Sequence, residues 1–146
     1  MKNHLETSLG ALIGQAGRAM ARALMDKFNR KGYEFGMDHW IVLVHLWKED
    51  GQTQQNLGET AGKNKTSVTR AIDWLEKNNY VVRVADREDR RHKRIYLTNS
   101  GKNMQELLAP EVKEVIAEAT AGIPPEEVEA CKNVLRHMFS NLKSYI

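Results

Sequence analysis

The sequence predicts a mainly α-helical fold with one small β-hairpin, and three observations carry that prediction. Apolar residues recur at helical spacing near both ends of the chain. Two short helical segments, each with its own capping residue, occupy the middle. Between residues 80 and 97 the pattern switches to two extended runs around a charged tip.

The first helix is predicted over residues 5–31, where Leu5, Leu9, Leu12, Ile13, Ala16, Ala19, Met20, Ala23, Leu24 and Phe28 share helical spacing. Gly10, Gly14 and Gly17 lower its propensity. They mark either local softness or the close approach of another helix. Gly32 stops it. A second helix is expected from Asp38 to Lys48, with Trp40, Ile41, Leu43, Val44 and Trp47 as core candidates, ending at Glu49-Asp50-Gly51.

Thr53 then reads as the N-cap of a short helix containing Leu57, and Gly62 breaks that helix. Asn64 caps the next, which runs to Asn78 with Val68, Ile72 and Leu75 facing inward. Tyr80–Val84 and Lys93–Leu97 are the strands. Thr98 caps a long helix over 100–120, lined by Leu107, Leu108, Val112, Val115 and Ile116, with Pro110 as a potential kink. Pro125 opens a last helix whose apolar stripe is Val128, Cys131, Leu135, Met138, Leu142 and Tyr145. The terminal helices are apolar on one side and exceed what a compact central domain can cover. A second copy of the chain is the simplest cover, so a homodimer is expected.

The bulk properties bound the class. A chain of 146 residues, 41% hydrophobic and 28% charged, fits one folded domain with a helical extension. No long apolar run follows Met1-Lys2-Asn3-His4, so neither a signal peptide nor a membrane anchor is expected. The lone Cys131 cannot form an internal disulfide, which suits a reducing, cytoplasmic setting. The net charge is only +3, but its distribution is uneven. Residues 83–94 hold six basic residues (Arg83, Arg87, Arg90, Arg91, Lys93, Arg94) against three acidic ones, so the whole excess sits in the hairpin.

Two short helices across a tight turn form a helix-turn-helix, whose second helix enters the DNA major groove with its N-terminal residues at the base edges. Here those residues are Asn64, Lys65, Thr66, Ser67, Thr69 and Arg70, which are small and polar or basic. Thr53, Gln54, Gln55 and Asn56 of the preceding helix fit either a DNA contact or a solvated polar face. The hairpin tip carries Arg87, Asp89, Arg90, Arg91, His92 and Lys93. A plain hairpin needs no such charge. A basic wing tracks the phosphates, and an arginine at its tip can enter a narrow minor groove.

The motifs Thr53-Gln54…Leu57-Gly58, Lys65-Thr66-Ser67-Val68-Thr69-Arg70, Leu75-Glu76-Lys77-Asn78-Asn79-Tyr80-Val81, Asp89-Arg90-Arg91 and Leu97-Thr98-Asn99-Ser100-Gly101 resemble those of the MarR family of bacterial winged helix-turn-helix transcription regulators. The resemblance covers essentially the whole chain. It implies one domain over 1–146, with a DNA-binding region at 34–98 and dimerisation helices at 1–31 and 99–146. It makes 64–78 the recognition helix and 86–93 the wing, with Arg91 the minor-groove residue and Asp89 its orienting partner. Asn79 stands where the family usually has glycine, and asparagine tolerates a left-handed backbone. Gly58 stands where the family has alanine.

Relatives of this kind often bind a small aromatic or phenolic effector between the dimer helices and the DNA-binding region. His39, Trp40, His45 and Trp47 fall near that place, although each also fits an ordinary core or solvated role. No cysteine lies in the first helix, where redox-sensing relatives carry theirs, and Cys131 is expected to be a buried inert thiol. No cofactor or metal is expected, the five histidines being scattered. Phosphate loops, nucleophile elbows and metalloprotease motifs are missing from the sequence, so the chain is not expected to be an enzyme. Two binding classes remain: a sequence-specific regulator, expected to be a ligand-responsive repressor on a palindromic operator, and a nonspecific architectural or protein-interaction module.

Overall fold

The computed structural model describes residues 4–5, 7–61 and 64–145. Among them the order is α1 (Leu9–Arg30), α2 (Met37–Lys48), β1 (Gln52–Thr53), α3 (Gln54–Thr60), α4 (Lys65–Lys77), β2 (Val81–Ala85), β3 (Lys93–Leu97), α5 (Asn99–Ala119), α6 (Pro125–Asn141) and a 3-10 turn at Lys143–Tyr145. This is a mainly helical fold with a β-hairpin wing, flanked by long terminal helices. Gly62, the expected helix breaker, lies outside the described residues.

The helix starts follow from capping chemistry. The side-chain oxygens of Thr53, Asn64 and Thr98 accept the backbone N–H groups of Asn56, Ser67 and Gly101. Each satisfies a donor that the helix cannot. Helix α1 begins later than residue 5 because Ser8 caps it, accepting from Ala11. Helix α5 runs on through Pro110. Asn79 has φ +64°, the left-handed conformation its position requires.

The hairpin is part of a three-stranded antiparallel sheet ordered β1-β3-β2. Val81 faces Leu97 and Ala85 faces Lys93, while Gln52 and Thr53 pair with Ile95 and Arg94. The strand β1 was not predicted. Two residues are too few to show a period.

The core gathers Leu24 and Phe28 of α1, Val42, Leu43 and Leu46 of α2, Leu57 of α3, Val68, Ile72 and Leu75 of α4, Val81 and Ile95 of the sheet, and Leu108 and Val115 of α5. Phe35, in the loop between α1 and α2, packs against Phe28, Trp74 and Tyr80. On α2 the buried stripe is shifted from expectation. Leu43 is buried as predicted, but Val42 and Leu46 are its companions, and Trp40, Ile41, Val44 and Trp47 are half-buried. Leu107 and Ile116, expected to face inward on α5, are exposed. Among the described residues no helix is long and apolar enough to cross a membrane.

The wing is joined to α5 by a contact only glycine allows. Thr98 donates its backbone N–H to the Tyr80 carbonyl at 3.0 Å. A Cβ on Gly101 would overlap that same carbonyl oxygen. The obstacle is backbone, so no rotamer relieves it. Gly101→Ala is therefore expected to destabilise the fold by about 1–3 kcal/mol, the usual cost of overpacking, despite alanine's better helix propensity. Thermal denaturation measures it, and an unchanged or raised Tm would contradict the close contact.

The ends of the chain are left uncovered. Helix α1 packs along α5, where Lys27 pairs with Glu118 at 2.8 Å and Lys31 with the buried Glu111 at 2.7 Å. The Lys31 ammonium holds the Glu111 carboxyl below its ordinary range. Yet Leu9, Leu12, Ile13 and Met20 remain exposed, and α6 buries no residue at all. Of its expected stripe, Cys131, Leu135, Leu142 and Tyr145 are exposed, while Val128 and Met138 are half-buried. Cys131 is exposed, contrary to the expectation of a buried thiol, because no residue of α6 is buried among the described residues.

Candidate nucleic-acid interface

Helices α3 and α4 meet at the helix-turn-helix, and the wing closes a cleft against them. The cleft, of about 690 Å³, is lined by Gln54, Gln55, Gly58, Glu59, Lys65, Val68, Arg91, His92 and Lys93. It thus brings together candidate residues from α3, α4 and the wing. Glu59, an acid among them, was not singled out from the sequence.

At the start of α4, Lys65, Thr66 and Arg70 are exposed and Ser67 and Thr69 are half-buried. Thr53 and Asn64 use their side-chain oxygens as caps. Thr69 and Gln54 are committed to each other: the Gln54 carboxamide donates to the Thr69 hydroxyl at 2.9 Å, and that hydroxyl donates to the Lys65 carbonyl at 2.9 Å. Gln55 is exposed.

The wing tip is built around Asp89. Its carboxylate accepts from Arg91 Nε at 3.0 Å, from the Arg91 guanidinium Nη2 at 3.0 Å and from the Arg91 backbone N–H at 3.1 Å. These bonds hold the Asp89 carboxyl below its ordinary range. The His92 imidazole lies 3.5 Å from the same carboxylate. The Arg91 side chain is 89% exposed, so it is oriented yet open to a ligand. Arg87, Arg90 and Lys93 are exposed and meet no carboxylate among the described residues.

Two of the six basic residues counted in the hairpin are not available at the tip. Arg94 donates to the Gly51 carbonyl at 2.8 Å and to Asp86 at 3.3 Å. Arg83 points back toward α4 and pairs with Asp73 and Glu76. The charge offered outward is that of Arg87, Arg90, Arg91 and Lys93.

The four residues considered for an effector do not share one place. Trp40 and Trp47, with ring centroids 5.4 Å apart, line a cleft of about 370 Å³ between α2 and α5, together with Val44, Lys48, Gln105, Ala109, Val112 and Lys113. Trp47 also donates its indole N–H to the Gly101 carbonyl at 2.9 Å. His39 lies elsewhere. Its ring stacks on Trp74 at 4.2 Å, and its Nδ1 accepts the Gly36 N–H at 2.9 Å. Burial pushes His39 below the usual histidine pKa, in keeping with an accepting, neutral ring. Burial lowers His45 likewise, and it does not line the cleft. Lys48 and Lys113 were not predicted; a lysine on a helix gives no sequence signal of its own. Among the described residues no His, Cys, Asp or Glu cluster could hold a metal.

The MarR family model matches residues 37–93, from α2 to the first residue of β3. The HTH-type transcriptional regulator YybA of Bacillus subtilis (strain 168) is 25% identical over 131 residues, covering 90% of this chain and 86% of its own. The structure of a MarR transcriptional regulator from Methanosarcina mazei Go1 superposes with a TM-score of 0.86 at 26% identity, covering 94% of this chain and 98% of its own. The crystal structure of the transcriptional regulator PA3341 gives a TM-score of 0.79 at 30% identity, covering 94% and 99%.

Proposed function

The chain belongs to the MarR family of DNA-binding winged helix-turn-helix transcription regulators, and we propose that it acts within it as a homodimer that reads a palindromic operator. The observation that carries this reading is the cleft where α3, the start of α4 and the wing converge with exposed basic side chains. Residues 34–98 are the DNA-binding region, and 1–31 and 99–146 are the dimerisation helices. The uncovered apolar faces of α1, α5 and α6 support the second part. So do Gly10 and Gly17, where an added Cβ would meet nothing within 4 Å among the described residues beyond the helix's own nearby backbone, leaving room for close helix approach.

Within this reading Thr66 and Arg70 meet base edges, Lys65 and the wing cations meet phosphate, and Arg91 enters the minor groove. The α2–α5 cleft is the seat of a small aromatic or phenolic effector that relieves repression. Two indoles wall it, and Lys48 and Lys113 complement a carboxylate or phenolate. Sequence selection tests the proposal. Duplexes retained from a random library should converge on two inverted half-sites centred about 10 base pairs apart, one helical turn. Retention without convergence would instead fit a nonspecific architectural module.

A further inference from the structure

Arg83 is the most heavily bonded side chain near the candidate interface, although it does not line the cleft. It sits in the central register pair of β2 and β3, opposite Ile95, and its side chain is only 18% exposed. Its guanidinium donates to Asp73 at 2.6 Å, to Glu76 at 2.9 Å, to the Gln54 carboxamide oxygen at 3.3 Å and to the Thr69 carbonyl at 3.4 Å. Its backbone N–H also reaches Glu76, at 3.2 Å. Thr69, Asp73 and Glu76 fall at i, i+4 and i+7, one edge of α4. One side chain of the wing therefore grips the recognition helix along two turns and reaches α3 as well.

The grip fixes more than the helix axis. A guanidinium only donates, so the Gln54 carboxamide must turn its oxygen to Arg83 and its NH2 to Thr69. The Thr69 hydroxyl accepts from Gln54 and donates to Lys65, and is left able only to accept from DNA.

We propose that Arg83 is a positioning residue for DNA recognition, setting the placement of α4 relative to α3 and the wing so that all three meet one duplex in register. The proposal rests on the DNA reading given above. It makes a prediction that simple electrostatics does not. Asp73 is an acid on the DNA-reading helix, so removing its charge should strengthen attraction to any phosphate backbone. If Asp73 instead anchors the clasp, its loss must weaken discrimination between sequences.

The test uses the full chain as wild type, Asp73→Asn, Arg83→Lys and Arg83→Gln, each put through the random-duplex selection and then titrated with an enriched and a scrambled duplex. Comparing two duplexes on one preparation cancels any loss of folded fraction. Arg83→Lys keeps the charge but not the planar fork. Asp73→Asn and Arg83→Lys are each expected to lower the ratio of enriched to scrambled affinity about tenfold, a mispositioning equivalent to about one mismatched base pair. The slope of log affinity against log salt should stay unchanged in Arg83→Gln. Wild-type ratios in both Asp73→Asn and Arg83→Lys would overturn the proposal. So would a slope reduced by about one in Arg83→Gln, which would make Arg83 itself a phosphate ligand. A wild-type chain that enriches no sequence would overturn the regulator reading instead.

Discussion

Arg91→Ala is expected to lower affinity for the enriched duplex by roughly a hundredfold or more while leaving the fold intact. The side chain is 89% exposed and its hydrogen bonds run to Asp89, so no packing is lost with it. The loss at DNA is large for two reasons. A specific arginine contact is worth about 1–3 kcal/mol, and a two-fold complex would contain two copies. Arg91 is also ordered before it binds. A free arginine gives up as much as about 2 kcal/mol of rotamer freedom when it is fixed, and two bonds to one carboxylate remove part of that cost in advance. Asp89→Asn should therefore weaken binding less than Arg91→Ala and in the same direction, although it removes a negative charge from the basic wing tip. The Arg91 donors hold the Asp89 carboxyl below its ordinary range, so its charge is complete above that range and fades only as pH falls through the lowered value. This pair should add no pH dependence around neutrality. Fluorescence anisotropy on the enriched duplex measures each variant. Wild-type affinity in Arg91→Ala would remove the wing tip from the interface.

Helix α4 and the hairpin were legible because their signals are local. Thr53, Asn64 and Thr98 announce helix starts from their own chemistry, and Asn79 announces a left-handed turn. What failed to show depends on partners distant in sequence. Arg83 counted as part of a basic excess, because a charge count cannot see Asp73 and Glu76 folding back onto it. His39 and Trp40 are adjacent in sequence, yet one stacks on Trp74 and the other lines the α2–α5 cleft. On α2 the tryptophans drew attention to the wrong stripe. A large amphipathic ring can lie half-buried beside a core that smaller Val42 and Leu46 fill. The terminal helices show the opposite case. Their apolar period was plain, but a period identifies a face to be covered and not what covers it.

That uncovered face gives the second large expectation, the loss of the dimer. Among the described residues α6 makes no extensive contact with any element beyond the 3-10 turn after it, and a 17-residue helix with so little tertiary support is marginal in water. Val134, Leu135, Phe139 and Leu142 are 53%, 42%, 57% and 53% exposed, so α6 carries an apolar face open to a partner. Leu135 and Phe139 are one turn apart on that face. Replacing them as Leu135→Glu with Phe139→Lys puts two charges into the interface while leaving net charge unchanged. Glutamate four residues before lysine also favours the isolated helix, so failure to associate would not reflect failure to form α6. Sedimentation at micromolar concentration should show a dimer for the wild type and a monomer for the double variant. On a palindromic duplex the variant should bind about a hundredfold or more weaker, because the second half-site is no longer engaged at high effective concentration. On a single half-site the two proteins should differ little. A double variant that still sediments as a dimer would place the interface elsewhere than α6, and a monomeric wild type would leave the exposed faces of α1, α5 and α6 to some other partner.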